Sequence, residues 1–156
     1  MGILDGLFGP STSGSGGLFN QATEHWQHMQ AAGLARDDKK QRQEILEVIR
    51  LCQKAISANE KESDAYGLLA NALLAASAAV KQSNKDVADG LREFAAAVMS
   101  KWLWHVRLMK YPSTNPVNIE FGNNCYSQVQ KAIQDAAGCS EEQANVKMNG
   151  CRGRYG

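Results

Sequence analysis

Apolar residues recur at helical spacing through most of this chain. One such run comprises Ile45, Val48, Ile49, Cys52, Ala55 and Ile56. These positions follow the 3.6-residue period of a helix and not the alternation of a strand. Residues 64–81 and 86–110 carry similar apolar stripes, and the middle of the chain is rich in Ala, Leu, Gln and Lys, which favour helix. We therefore expect an all-α fold, a small helical bundle.

The helix boundaries can be predicted from capping residues. Asn20 is expected to cap the first helix, and Gly138 to end the fifth. Ser140 and Gln143 have the spacing of a capping box for a last short helix. The expected helices span residues 20–33, 37–58, 64–81, 86–110, 125–137 and 140–148.

Residues 111–124 are expected to be irregular. Val117, Ile119 and Phe121 alternate there with polar residues, which is the spacing of an extended strand. We predict that this segment lies extended across the helices.

The chain divides into three regions by composition. Residues 1–19 form an apolar peptide and a Gly/Ser-rich linker, residues 20–148 a helical domain, and residues 149–156 a glycine-rich basic tail. In the first region Ile3, Leu4, Leu7 and Phe8 fall on one side of a short helix. Such a face can dock into another protein or, more weakly, into a membrane interface.

Residues 44–80 carry a pattern of large and small side chains around a polar turn. It consists of Cys52 and Ala55 before the turn, followed by Tyr66, Leu69, Ala70 and Leu73. This pattern resembles a tetratricopeptide-type helical hairpin, in which the small residues let two helices approach closely. Glu60 stands where that family usually has proline, and a 34-residue shift finds no second copy. The resemblance implies a single repeat-like hairpin inside a small bundle.

The sequence contains no recognised catalytic or nucleotide-binding motif. The glycines of residues 14–17 are followed by no lysine, and no strand precedes them. The net charge of +1 lacks the basic excess of a dedicated nucleic-acid binder. We therefore expect a protein that is not an enzyme, has no catalytic residue and no cofactor, and does not act on nucleic acid.

Two residue types invite a metal-site interpretation. His25 and His28 stand three apart on one predicted helix, but no third ligand lies beside them in the sequence. The four cysteines, at positions 52, 125, 139 and 151, match no zinc or haem spacing. We expect a polar helix face at the histidines, no bound metal, and reduced thiols. A disulfide among the last three cysteines is the alternative.

The helix predicted over residues 86–110 has more apolar side chains than one buried stripe needs. Beside its main stripe stand Leu103, Trp104 and Leu108, with Tyr111 just beyond its end. Either this helix is central in the bundle, or its second face meets a partner. In the second case Trp104, Leu108 and Tyr111 are the expected anchors, because Trp and Tyr are typical of binding hot spots.

These features favour a non-catalytic helical adaptor or structural subunit in a larger bacterial or bacteriophage assembly. Its expected partners are other protein subunits, including a second copy of the chain. The alternatives are a peptide-binding or secretion-chaperone module of tetratricopeptide type, and a membrane-docking protein that uses residues 1–8. The sequence shows neither a cleaved signal peptide nor a transmembrane helix, so we expect a cytoplasmic protein or a component of an assembled particle.

Overall fold

The computed structural model describes residues 14–58, 63–104 and 116–151. Within these ranges the chain forms a bundle of six helices and no strand, which confirms the expected all-α class. The helices are α1 (Gly14–Leu34), α2 (Asp38–Ala58), α3 (Ser63–Val80), α4 (Lys85–Lys101), α5 (Pro116–Ala137) and α6 (Glu141–Cys151).

Helices α1 and α2 form a hairpin around a tight turn. The amide of Asp37 donates a hydrogen bond to the carbonyl of Ala32 (2.9 Å), and Arg36 adopts a left-handed conformation with φ of 58°. The Asp37 carboxylate then caps α2 by accepting a hydrogen bond from the amide of Lys40 (3.1 Å). The turn therefore fixes how the two helices lie side by side.

The prediction that Asn20 caps the first helix is wrong. Helix α1 begins at Gly14, so that Asn20 lies inside it. Phe19 and Ala22 are fully buried in the core. Burial of this face stabilises helical turns whose glycine and serine content alone argues against helix.

Helix α4 packs against α3, α5 and α6, while α3 contacts the largest number of other helices, namely α1, α2, α4 and α5. Six consecutive residues are buried, namely Ala95, Ala96, Ala97, Val98, Met99 and Ser100. Six residues in a row cover every side of a helix, so this stretch is enclosed all round. The α-helix ends at Lys101 and residues 102–104 form a π-helical turn; the remainder of the predicted helix, residues 105–110, lies outside the described residues.

The prediction of an extended segment before residue 125 is wrong for the described residues 116–124. They belong to α5, which begins with Pro116, a residue favoured at the first helical position. Cys125, Val129 and Ile133 are buried at a spacing of four residues, and the partly buried Phe121 extends that spacing toward the start of α5. The long helical period thus outweighs the short alternation of Val117, Ile119 and Phe121.

The connection from α5 to α6 follows the capping predictions. Gly138 has a φ of 62°, and its amide donates to the carbonyl of Gln134 (2.8 Å). The Ser140 amide donates to Gln143 Oε1 (3.0 Å), while the Gln143 amide donates to Ser140 Oγ (3.2 Å). The glycine stop and the capping box are both confirmed.

Candidate functional site

Trp104 lies at the surface, just past the buried part of α4. Its side chain is 36% exposed, whereas that of Trp102, two residues earlier, is 2% exposed. The Trp104 indole donates a hydrogen bond from Nε1 to Oδ1 of Asn149 on α6 (3.1 Å). Ser100 Oγ also donates to that oxygen (3.4 Å), so Asn149 ties both residues to α6. The indole is therefore held in place at the edge of the bundle.

An exposed apolar side chain lies on α6 close to this contact. Val146 precedes Asn149 by one helical turn, on the same face of α6, and is 68% exposed. We call Trp104, Val146 and Asn149 the α4–α6 edge. It offers a fixed aromatic ring, an aliphatic side chain and a polar amide on one surface.

The other partner-binding residues predicted from the sequence lie outside the described residues. They are Leu108 and Tyr111 beyond the end of α4, together with Ile3, Leu4, Leu7 and Phe8 in the N-terminal segment. Asn149, which the sequence assigned to the start of the basic tail, belongs to α6 instead. The local pattern gave no sign of its contact with Trp104, because 45 residues separate the two.

A cleft of about 530 Å³ opens between the ends of α3, α4 and α5. Its floor is apolar and its rim is charged. The lining side chains are Leu74, Ser77, Ala78, Lys81, Lys85, Asp89, Arg92, Ala132, Asp135 and Ala136. Arg92 forms an ion pair with Asp89 one turn earlier, and the Ser77 hydroxyl donates to the Ala88 carbonyl (2.7 Å). The rim therefore combines both signs of charge around a small-residue floor.

The two histidines of α1 meet a carboxylate of α2. His25 Nδ1 lies 2.5 Å from Glu44 Oε2, and His28 Nδ1 lies 4.0 Å from the same oxygen. The rings stand edge to face, with centroids 5.9 Å apart. Glu44 was missed by sequence reasoning because it belongs to the next helix. The position of Glu44 could have been found by pairing residues of the two helices outward from the turn. One such pair is Gln41 and Met29, whose Nε2 and Sδ atoms lie 3.7 Å apart.

All four thiols are free, and two are deeply buried. Burial raises the pKa of Cys52 well above its ordinary value and that of Cys125 to about 12. The Asn71 amide donates to Cys125 Sγ (3.3 Å), which partly offsets the effect of burial on that pKa. Thiols held in this protonated form are poor nucleophiles at neutral pH. Cys52 and Cys125 therefore act as core side chains.

None of the helices in the described ranges combines the length and the apolar character needed to cross a membrane. No protein-family model, curated protein or solved structure matches this chain.

Proposed function

We propose that the protein is a non-catalytic helical adaptor or structural subunit that binds other protein subunits through the α4–α6 edge. The observation that carries this proposal is the exposed indole of Trp104, held by Asn149 just beyond the end of α4. A large aromatic ring fixed in one rotamer loses little conformational entropy on binding, which is why such residues anchor interfaces.

The burial of residues 95–100 accounts for part of the apolar character of α4. Residues 95–100 need no partner, because α3, α5 and α6 already enclose them. This supports a proposed interaction surface that begins at Trp104, with Leu108 and Tyr111 following it in the sequence. The N-terminal residues Ile3, Leu4, Leu7 and Phe8 supply a second contact, as a peptide that docks onto a neighbouring subunit.

Site-specific photo-crosslinking tests this proposal in the organism that makes the protein. A photoreactive amino acid is placed at residue 104 or, as a control, at Val87, another exposed apolar residue, which lies at the opposite end of α4. We expect residue 104 to crosslink to one defined species, either another subunit or a second copy of the chain. Equal and diffuse labelling from both positions would contradict the proposal.

The cleft favours a second function, that of a peptide-binding module of tetratricopeptide type. Such a module needs a concave groove lined by residues 64–80, and Leu74, Ser77 and Ala78 of that segment line the cleft. Its charged rim suits a peptide with an apolar side chain flanked by charges. Ala78→Phe fills the cleft from an exposed position. If the cleft is the binding site, that substitution abolishes capture of peptides, whereas Trp104→Ala leaves it intact.

A further inference from the structure

The strongest unassigned cluster of ligand-type side chains lies on the α1–α2 hairpin. His25, His28 and Glu44 each offer one ligand atom, and these atoms all lie within 4.8 Å of one another. We propose that this His–His–Glu cluster binds Zn²⁺ or a chemically similar transition-metal cation. This inference is independent of the function proposed for the α4–α6 edge.

The three side chains are positioned by rigid elements. His25 and His28 are three residues apart on α1 and therefore share a face. Glu44 is brought opposite them by the hairpin turn. Next to it Ile45 is buried, and on α1 Met29 is buried beside His28, so the core fixes the register of the two helices. Ligands mounted on packed helices hold their geometry better than ligands on loops.

The distances suit a metal after small side-chain rotations. Zinc binds nitrogen at about 2.0–2.1 Å and carboxylate oxygen at about 2.0–2.2 Å, which places ligand atoms of a tetrahedral site about 3.3 Å apart. The observed separations from Glu44 Oε2, 2.5 Å to His25 and 4.0 Å to His28, lie on either side of that value. The cation would enter between the three atoms, lengthening the first separation and shortening the second.

Exposure of the side chains leaves a way in for the cation. The Glu44 side chain is only 15% exposed, whereas that of His28 is 61% exposed and free to rotate toward a metal. Three protein ligands leave one tetrahedral position, on the solvent side, for water. Among the ion pairs of the described residues, Glu44 is paired with no lysine or arginine, so its carboxylate is available as a ligand.

The donor set selects the class of metal. Two imidazoles and one carboxylate suit Zn²⁺ and its neighbours in the first transition series, whereas Mg²⁺ and Ca²⁺ prefer oxygen ligands alone. A cation here would join α1 to α2 near the middle of the hairpin. Its expected effect is structural, because binding to the folded state alone stabilises that state.

Zinc titration of the full-length chain tests the proposal. Cys139→Ser and Cys151→Ser are introduced first, so that the two partly exposed thiols supply no ligand. Competition with a zinc-sensitive dye should then give one Zn²⁺ per chain. Glu44→Gln and His28→Gln should each weaken zinc binding by at least about 100-fold. Mutation of a residue that only hydrogen-bonds to a metal ligand weakens metal binding less, by about 10- to 100-fold. Glu24→Gln, an exposed carboxylate of α1, serves as the matched control and should leave the affinity unchanged.

Imidazole NMR resonances provide a second readout that does not depend on how well a variant folds. Zinc should shift the ring signals of His25 and His28 and leave those of His105, the third histidine of the chain, in place. Unchanged affinity in both Glu44→Gln and His28→Gln would overturn the proposal, as would zinc-induced shifts confined to His105. In that event the cluster is a hydrogen-bonded contact between two helices.

Discussion

The indole of Trp102 at the end of α4 covers Gly122 of α5 so closely that a Cβ atom at residue 122 would overlap the ring. Trp102 is almost fully buried, so the ring has little room to move away. The glycine is therefore what lets α4 and α5 approach each other at this level.

We expect Gly122→Ala to destabilise the fold. Overpacking a core contact lowers the free energy of unfolding by about 1–3 kcal/mol. The loss should be near the upper value here, because the buried Trp102 ring cannot easily move away. Replacing glycine by alanine within a helix also stabilises that helix by about 1 kcal/mol, which offsets part of the loss. The net loss should be about 1–2 kcal/mol in urea unfolding. Gly90→Ala is the matched control, because nothing lies within 4 Å of its added Cβ, and it should stabilise by up to about 1 kcal/mol. Effects of the same sign in both variants would contradict the close contact of Trp102 with Gly122.

Ala70 tests the repeat-like pairing of α2 with α3. It is fully buried in α3, and the tetratricopeptide-like pattern predicts that it lies at the closest approach to α2. Ala70→Leu should overpack that contact and lower the free energy of unfolding by about 1–3 kcal/mol. Ala79→Leu, at an exposed position of the same helix, should change it by no more than about 0.5 kcal/mol. Thermal melting that shows both variants to be neutral would rule out the hairpin assignment.

The buried thiols should make the free energy of unfolding depend on pH in the alkaline range. Folding raises the pKa of Cys125 from 9.0 to about 12, so between these values the unfolded chain loses a proton that the folded chain keeps. Stability should therefore be fully present below pH 9 and fall as pH rises, by about 1.4 kcal/mol per pH unit for one such thiol. Replacing Cys125 by Ala should make this decline shallower in urea unfolding measured from pH 8 to pH 10. An identical slope in parent and variant would contradict this assignment.

The helical class and most helix ends could be predicted from the sequence, because they depend on local signals. The capping box at Ser140 and the glycine stop at Gly138 are examples, since each is satisfied within a few residues. The start of α1 and the first turns of α5 could not be predicted, because they depend on the packing of Phe19 and the partly buried Phe121 against the core.

The candidate sites depend still more on distant contacts. The aromatic type of Trp104 and its place beside the main stripe predict a partner-binding anchor, but its hydrogen-bond partner Asn149 is 45 residues away. Glu44 approaches His25 only because the hairpin turn sets the register of two helices. Spacing within one helix carries no information about such a neighbour.

The N-terminal segment should dock onto protein in preference to lipid. Burying Ile3, Leu4, Leu7 and Phe8 contributes about 6–8 kcal/mol at most, and ordering eight residues costs a comparable amount. Deleting residues 1–8 should leave the helical circular dichroism unchanged and reduce incorporation into the native assembly, measured by co-sedimentation. Full incorporation of the deletion variant would remove the docking proposal. Strong flotation of the intact chain with liposomes would favour lipid instead.

We propose that the protein binds protein subunits through the α4–α6 edge, and light scattering tests this most directly. The protein is mixed with the partner that crosslinks to residue 104. If that partner is a second copy of the chain, the protein is measured alone. Truncation of an interface anchor costs about 2–4 kcal/mol, so Trp104→Ala should weaken the association by about 30-fold or more. Val87→Ala should leave it unchanged, and both variants should keep the helical circular dichroism of the parent. Association of Trp104→Ala as strong as that of the parent, with the fold intact, would contradict the claim.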